Sequence, residues 1–392
     1  MELDLCGVSD YNLAGHGGSN FPSAVSSRPV GKTMSLSQLD VTELAAAHGI
    51  EISLMCECQD AWRTVLAEAS YAPVMYSANS IEYQWAYQQG HGGVWRDLSV
   101  VINWNNKPVA VWPLSVSEMD GKSALSSHGL PVHPPLFVGS CPDSSRKRIV
   151  KNCLDLAHTF AVKAGVTSWE STESFSDSVG LSEWHIASMA QGAICAITHD
   201  LFVDLRLGME KIKSGFRKSY KSLVTSGMRH WTVGVLDDAD ETVWDRFRDL
   251  HISVAGRKTR SEESWAIHHN DIAEKRAFLA YLLNSDGEME GGGFFNFTHD
   301  EGLYAVAAYR RELFDKPLGH IVQYRAIEEL KRRGVRWYKL GVRPYSSEIP
   351  VPSAKEVSIG EFKQGFASHM FPRYKLTHIV KVNHSAEEIS LA

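Results

Sequence analysis

From about residue 50 the apolar positions switch between two rhythms, one of period two and one of three to four residues. Glu51–Cys56 reads as a strand, and Asp60–Ala69 and Asn79–Gln89 read as short helices. Leu98–Asn103 and Pro108–Val116 predict an antiparallel hairpin around Asn105-Asn106-Lys107. Asp143–Ala164 is the longest periodic stretch. Ile149, Cys153, Leu156 and Phe160 recur at helical spacing, and Gly165 supplies the stop. Strands are expected at Val166–Glu170, Trp184–Met189 and Ile194–Leu205.

The second half repeats this alternation. Gly208–Ser226 predicts one helix with Met209, Ile212, Phe216 and Leu223 facing inward and Gly227 as its end. Trp231–Leu236 is a strand. Asp238 with Glu241 reads as a capping box before a helix that buries Val243, Trp244, Phe247, Leu250 and Val254, and Gly256 ends that helix. Asp271–Leu283 is expected to be a further helix. Gly292–Phe297 and Leu303–Arg310 form a hairpin, followed by a helix over His320–Arg333, the stop Gly334 and the strand Val335–Leu340. Hairpins mixed with strand–helix–strand units predict an α/β chain of the α+β kind, with mixed sheets carrying helices on their faces. The expected division is a Gly/Ser-rich mobile extension over 1–36, a first domain over 37–204 and a second over 205–392.

Length and composition allow two or three folded units. The chain has 392 residues, with 44% hydrophobic and 22% charged. Those values exclude wholesale disorder and collagen-like repeats. The net charge of −6 argues against a general nucleic-acid binder, but it is unevenly spread. Residues 1–199 hold 11 Lys/Arg against 19 Asp/Glu, a balance of −8, and residues 200–392 hold 29 against 27, a balance of +2. That split fits handling of anionic ligands in the second half, or chance segregation of solvated charges. The first residues lack the cationic start and apolar run of a signal peptide, and no stretch reaches the apolar length of a membrane-spanning helix. The six cysteines are scattered, with only Cys56 and Cys58 close, so reduced thiols and a cytoplasmic location are expected, with no metal site.

Five constellations could carry chemistry. The predicted helix after Gly208 bears Lys211, Lys213, Arg217, Lys218 and Lys221, a cationic stripe that suits phosphate or simply faces solvent. Arg257, Lys258 and Arg260 follow a helix stop. At Pro317-Leu318-Gly319-His320 a strand delivers the chain to a helix, whose free N–H groups attract anions and whose first turn projects His320, Gln323 and Tyr324. Arg343 and Tyr345 lie just past a strand's carboxyl end, where open α/β sheets place ligands. Phe362 and Phe366 flank Lys363 at helical spacing. Phosphate-loop, dinucleotide and nucleophile-elbow motifs are absent from the sequence, which removes support for nucleotide hydrolysis, hydride transfer and serine-type covalent catalysis.

In order along the chain, Leu318-Gly319-His320-Ile321, Gly334-Val335-Arg336-Trp337-Tyr338-Lys339-Leu340-Gly341 and Phe362-Lys363-Gln364-Gly365-Phe366 resemble the C-terminal domain of Fem-type transferases, within the GNAT acyltransferase superfamily. Phe216-Arg217-Lys218-Ser219-Tyr220-Lys221 resembles that family's cationic helix opening its second domain. The resemblance covers roughly 205–380 and implies two tandem GNAT-like domains with a cleft between them. It implies transfer of an acyl or aminoacyl group onto an amine, with Lys363 as the catalytic cation and Phe362 beside it. Arg217, Lys221, Arg257, His320, Gln323, Tyr324, Arg343 and Tyr345 complete the expected substrate-binding set. The stretch Phe314–His320 departs from the usual GNAT pyrophosphate loop by lacking its glycine spacing.

These readings imply no tightly bound cofactor and a donor that is either aminoacyl-tRNA or acyl-CoA. The expected acceptor is a small-molecule amine, sugar-linked or carried on a nucleotide-linked envelope or glycan precursor, with tRNA as a partner if it is the donor. Two alternatives stand beside this one: an acyl-CoA-dependent N-acetyltransferase of a sugar or small amine, and a non-catalytic GNAT-like module that binds a glycan or protein. The sequence sets no oligomeric state.

Overall fold

The computed structural model describes residues 36–173 and 180–380. The expected extension over 1–36 lies outside the described residues except for Leu36.

In the first half, helix α1 (Val41–Ala47) starts at Asp40, whose carboxylate accepts the Thr42 and Glu43 N–H groups. Strand β1 (Glu51–Leu54) and helices α2 (Gln59–Glu68) and α3 (Ala78–Gln89) follow. Next come β2 (Val94–Asp97), β3 (Val100–Trp104), β4 (Lys107–Trp112), β5 (Ser115–Met119), β6 (Lys122–Ser126) and the short β7 (Leu136–Phe137). The β3–β4 hairpin forms as its turn residues predict. Asn105 and Asn106 take φ of 52° and 59°. That is the left-handed pair a tight hairpin needs. The expected single strand Pro108–Val116 is instead two. Pro113, which has no N–H to give a ladder, separates β4 from β5, and the two enter different sheets. One is β1-β3-β4-β7 and the other β2-β5-β6.

Helix α4 (Asp143–Ala164) has the predicted bounds and ends on Gly165 at φ 72°. Only a residue without a Cβ takes that conformation freely. The stripe of Ile149, Cys153, Leu156 and Phe160 enters the first core with Val100, Ile102 and Trp112. Strand β8 (Ser168–Thr172), helix α5 (Glu183–Ala190) and strand β9 (Ile194–Asp204) complete this half. The strand expected at Trp184–Met189 is therefore a helix. Ser182 caps it by accepting the His185 N–H at 3.0 Å, and Trp184 and Ser188, four apart, face the core. A short apolar run suits either element, and packing of Trp184 against Trp112 and Trp169 selects the helix.

The second half contains α6 (Met209–Gly215), α7 (Lys218–His230), β10 (Thr232–Leu236), α8 (Glu241–Ala255), α9 (Glu262–Ala273) and β11 (Ala277–Leu283). It continues with β12 (Met289–Phe297), β13 (Glu301–Tyr309), α10 (Leu318–Arg332), β14 (Trp337–Val342), α11 (Ala354–Gln364) and β15 (His369–Ile379). The expected helix Asp271–Leu283 is the end of α9 plus the strand β11. Lys275 at φ 61° makes the break without a glycine to announce it. Such a conformation is uncommon outside glycine, so no sequence signal foretells it. The cap of α8 is Asp240, which accepts the Thr242 and Val243 N–H groups, rather than Asp238.

The expected helix Gly208–Ser226 is also two. Phe216 and Arg217 are extended because Phe216 plunges into the second core, edge-on to Phe366 at 5.2 Å, and the Arg217 N–H donates to the Gly365 carbonyl at 2.8 Å. The break divides the cationic stripe: Lys211 and Lys213 lie on α6, and Lys218 and Lys221 on α7.

A single sheet joins the halves. Its order is β10-β11-β12-β13-β14-β9-β15-β8. Every neighbouring pair is antiparallel except β13 and β14, joined through α10, which run parallel only where Glu301–Leu303 meet Trp337–Lys339. Beyond that they diverge, and β14 pairs with β9 on its other side. Strand β15, not foreseen from the sequence, lies between β9 and β8.

Gly227 does not end a helix; it sits inside α7, buried against α10. A Cβ there would overlap the Ile321 Cδ1 and lie 3.1 Å from Pro317 Cγ, and Ile321 is fully buried with nowhere to move. Glycine to alanine in a helix interior ordinarily gains about 1 kcal/mol. Gly227→Ala should instead lose about 1–3 kcal/mol by overpacking, read as a lower midpoint in urea unfolding.

Candidate functional site

A cleft of about 930 Å³ opens between the halves, beside the point where β13 and β14 part. Its first-half wall is tied down by two buried carboxylates at the start of β13. Glu301 accepts the Tyr71 hydroxyl at 2.7 Å and the Val74 N–H at 3.1 Å. Asp300 accepts the Ala72 N–H at 2.8 Å and pairs with Arg336 at 2.8 Å. The Thr298 hydroxyl closes the tie by donating to the Ala72 carbonyl at 2.6 Å. These bonds bring Pro73 and Met75 over the cleft. Burial pushes the Glu301 carboxyl up from its ordinary range, with Lys339 pulling the other way.

Lys363 reaches this cleft from the last turn of α11, with only 6% of its surface exposed. Ser353 and Glu356 form a capping box that starts the helix. Phe362 and Phe366 bury in the second core and set its rotation. The Lys363 ammonium lies 5.5 Å from the Tyr304 ring centre. That is within the range in which a ring face attracts a cation. Among the described residues it has no carboxylate in ion-pair reach. Burial pulls it down to about 8, opposed by the more distant charge of Asp200. Asp200 is itself paired with Lys339 at 3.0 Å.

Of the other expected residues, Tyr345 also lines the cleft, with its ring edge-on to His199 at 5.4 Å. Phe362 and His320 lie behind Lys363, in an aromatic cluster with Tyr220 and Phe366. Burial, with Arg217 nearby, takes His320 down to about 4, so it is a neutral packing group. Gln323 is fully buried and accepts the Tyr338 hydroxyl at 2.5 Å. Tyr324 packs edge-on to Phe216, and burial together with Glu328 raises its hydroxyl to about 12.

The expected cations outside α11 do not line the cleft. Arg217 donates to the Glu361 carbonyl at 3.1 Å, and Lys221 donates to the Ser214 carbonyl at 2.7 Å. Arg343 is buried and binds Gln364, the Pro344 carbonyl and Glu361. Arg257 is exposed after α8. Arg260 beside it is a buried pin that donates to the Tyr83 hydroxyl at 2.8 Å.

The start of α10 is covered rather than open. Leu318, Gly319 and His320 are all buried, and a Cβ on Gly319 would lie 3.1 Å from the Phe362 ring. The structure also adds residues that the sequence did not single out: His133 from the first half, Glu301 and Lys339 from the diverging strands, and Arg373 from β15. No local pattern marks them, because they meet only through strand pairing. Among the described residues no cluster of His, Cys, Asp or Glu is arranged to hold a metal, and no helix is long and apolar enough to cross a membrane.

Comparison with known proteins places this geometry. Residues 210–348 match the acetyltransferase (GNAT) domain family. A search of curated proteins finds no match. Among solved structures, FemX is similar over 84% of this chain and 97% of its own, with 12% identity and a TM-score of 0.60. L-PGS from Bacillus licheniformis is similar over 83% and 93%, with 13% identity and a TM-score of 0.52. A conserved protein of unknown function from Bacteroides thetaiotaomicron VPI-5482 is similar over 85% and 99%, with 7% identity and a TM-score of 0.52. At these identities the likeness is one of fold. Residues 210–348 therefore form a GNAT acetyltransferase domain beside the cleft, within a mixed α/β fold similar to that of FemX, and this domain supports an acyltransferase.

Proposed function

We propose that the cleft transfers an acyl or aminoacyl group onto the amine of an amino sugar or of a nucleotide-linked envelope precursor, in the cytoplasm, and that Lys363 is its catalytic cation. The observation that carries this reading is a buried lysine, facing a cleft of substrate size, with no carboxylate in ion-pair reach among the described residues. In the reaction the amine nitrogen attacks the ester or thioester carbonyl of the donor, and negative charge builds on the carbonyl oxygen. The tetrahedral species then expels the donor's alcohol or thiol, and the amine proton leaves with it or through water. A cation in a site of low dielectric, already oriented, stabilises that oxygen more than it stabilises the ground state. A lysine held by a carboxylate would have its charge neutralised before the reaction began. The covered start of α10 favours a donor whose phosphates lie elsewhere, and so aminoacyl-tRNA ahead of acyl-CoA.

Lys363→Met should cut transfer by about 100-fold or more while the melting transition stays cooperative. Full activity in that variant would remove Lys363 from the mechanism. The donor is read from binding: affinity for charged tRNA should fall steeply between about 50 and 200 mM salt, by counterion release. Tight acyl-CoA binding with a flat salt response would reverse the order of donors.

The depressed Lys363 value also makes a stability prediction. The ordinary value is 10.5 and the folded value is about 8, so folding expels a proton between them. The unfolded chain binds more protons in that window, and stability rises with pH from about 8 to 10.5. Lys363→Met should therefore be more stable than the parent at pH 7, on the order of 1–3 kcal/mol, and the gain should shrink as pH rises through that window. Denaturant unfolding at several pH values checks it.

A further inference from the structure

His133 lies in the first half, far in sequence from the matched GNAT domain, yet it lines the same cleft as Lys363. It is firmly held. Its N–H donates to the Ser127 hydroxyl at 2.9 Å, its carbonyl accepts the Trp112 indole N–H at 2.9 Å, and the next carbonyl, of Pro134, accepts the Tyr76 hydroxyl at 2.7 Å. The Tyr76 ring stands 5.5 Å away. His133 so positioned is 8% exposed as a residue, and neither ring nitrogen has a hydrogen-bond partner. Two bare ring nitrogens on a buried side chain carry a desolvation cost that a ligand would relieve.

Arg373 of β15 faces the same space. Among the described residues its guanidinium has no carboxylate within ion-pair distance, although carboxylates line the cleft with it. Each of those is engaged elsewhere: Glu170 with Lys375 at 2.8 Å, Glu173 with His185 at 3.2 Å, Glu301 with Tyr71 and Val74, Glu348 with the Tyr345 N–H at 3.1 Å, and Glu356 with the Ser353 N–H at 2.7 Å. Arg373 and Lys339 both act on His133 and, after burial, keep it neutral, so that it offers one N–H donor and one acceptor.

We infer that His133 and Arg373 form an oxyanion site in the cleft, where a phosphate or carboxylate group of the substrate is held by the guanidinium and by the imidazole N–H. The transfer reading enters only in identifying that substrate as the amine acceptor. The site assigns the first half a direct role in recognition, and it separates the group that is held from the carbonyl that reacts at Lys363.

The test is calorimetric titration of the full-length protein at low salt, with inorganic phosphate in one arm and acetate in the other. Saturable binding of either anion is expected, and the arm that binds more tightly names the group. Arg373→Gln should raise the dissociation constant about tenfold or more, and His133→Ala severalfold. His133→Gln, which restores an N–H donor, should recover part of the loss and covers the case in which the alanine variant folds poorly. No saturable binding of either anion, or equal binding by Arg373→Gln and the parent, overturns the site. Binding that vanishes in Lys363→Met but survives in Arg373→Gln overturns it as well. Anion binding with the expected variant pattern but without acyl transfer would leave this site standing and remove the transfer reading alone.

Discussion

The return of strand β15 between β9 and β8 is the constraint on which the rest of the structure depends. It pairs with β9 from His369 opposite Phe202 to Thr377 opposite Ile194, and with β8 from Lys375 to Ile379. Every one of those main-chain groups would otherwise be an open edge. The pairing converts two α/β halves into one continuous sheet. It carries Leu376 and Val380 into the first core, so the end of the chain completes the packing of its beginning. It also brings Arg373 into the cleft from a part of the chain that no local signal connects with catalysis.

Strand pairing alone would leave the cleft open on its first-half side. Asp300 and Glu301 close it by accepting main-chain and hydroxyl donors from Tyr71, Ala72 and Val74. Buried carboxylates are costly unless fully bonded, and here both oxygens of Glu301 have partners. The same turn opens the short parallel contact of β13 with β14, so one set of bonds anchors the wall and marks where the strands part.

Behind the cleft, an aromatic cluster couples three helices to the position of Lys363. Tyr220 of α7, His320 of α10, and Phe362 and Phe366 around the end of α11 meet at centre distances of 4.5 to 6.0 Å. The Tyr220 hydroxyl donates to the Phe362 carbonyl at 3.3 Å, and Arg217 and Arg343 secure the neighbouring turn through Glu361. Cations that resemble ligand contacts in the sequence therefore hold the helix that carries Lys363. Rings of this kind have well-defined packing, which fixes where an otherwise flexible lysine begins.

The sequence by itself determined the elements whose signals are local. Helix α4 shows its core stripe and its glycine stop, β3 and β4 show their paired asparagines, and α10 shows its periodicity. The order of Fem-like motifs pointed to Lys363 and to an acyl transfer. Elements whose identity depends on partners were not legible. Trp184–Met189 became a helix because Trp184 packs between two other tryptophans, and the helix after Gly208 broke because Phe216 had a core to enter. The cleft's charge was decided by tertiary structure alone. Residues with the same side chains are engaged or available according to which strand lies beside them. Arg343 meets Gln364 and Glu361, and Lys339 meets Asp200. Among the described residues Lys363 and Arg373 meet no carboxylate, and a one-dimensional pattern of charges holds no information about that distance.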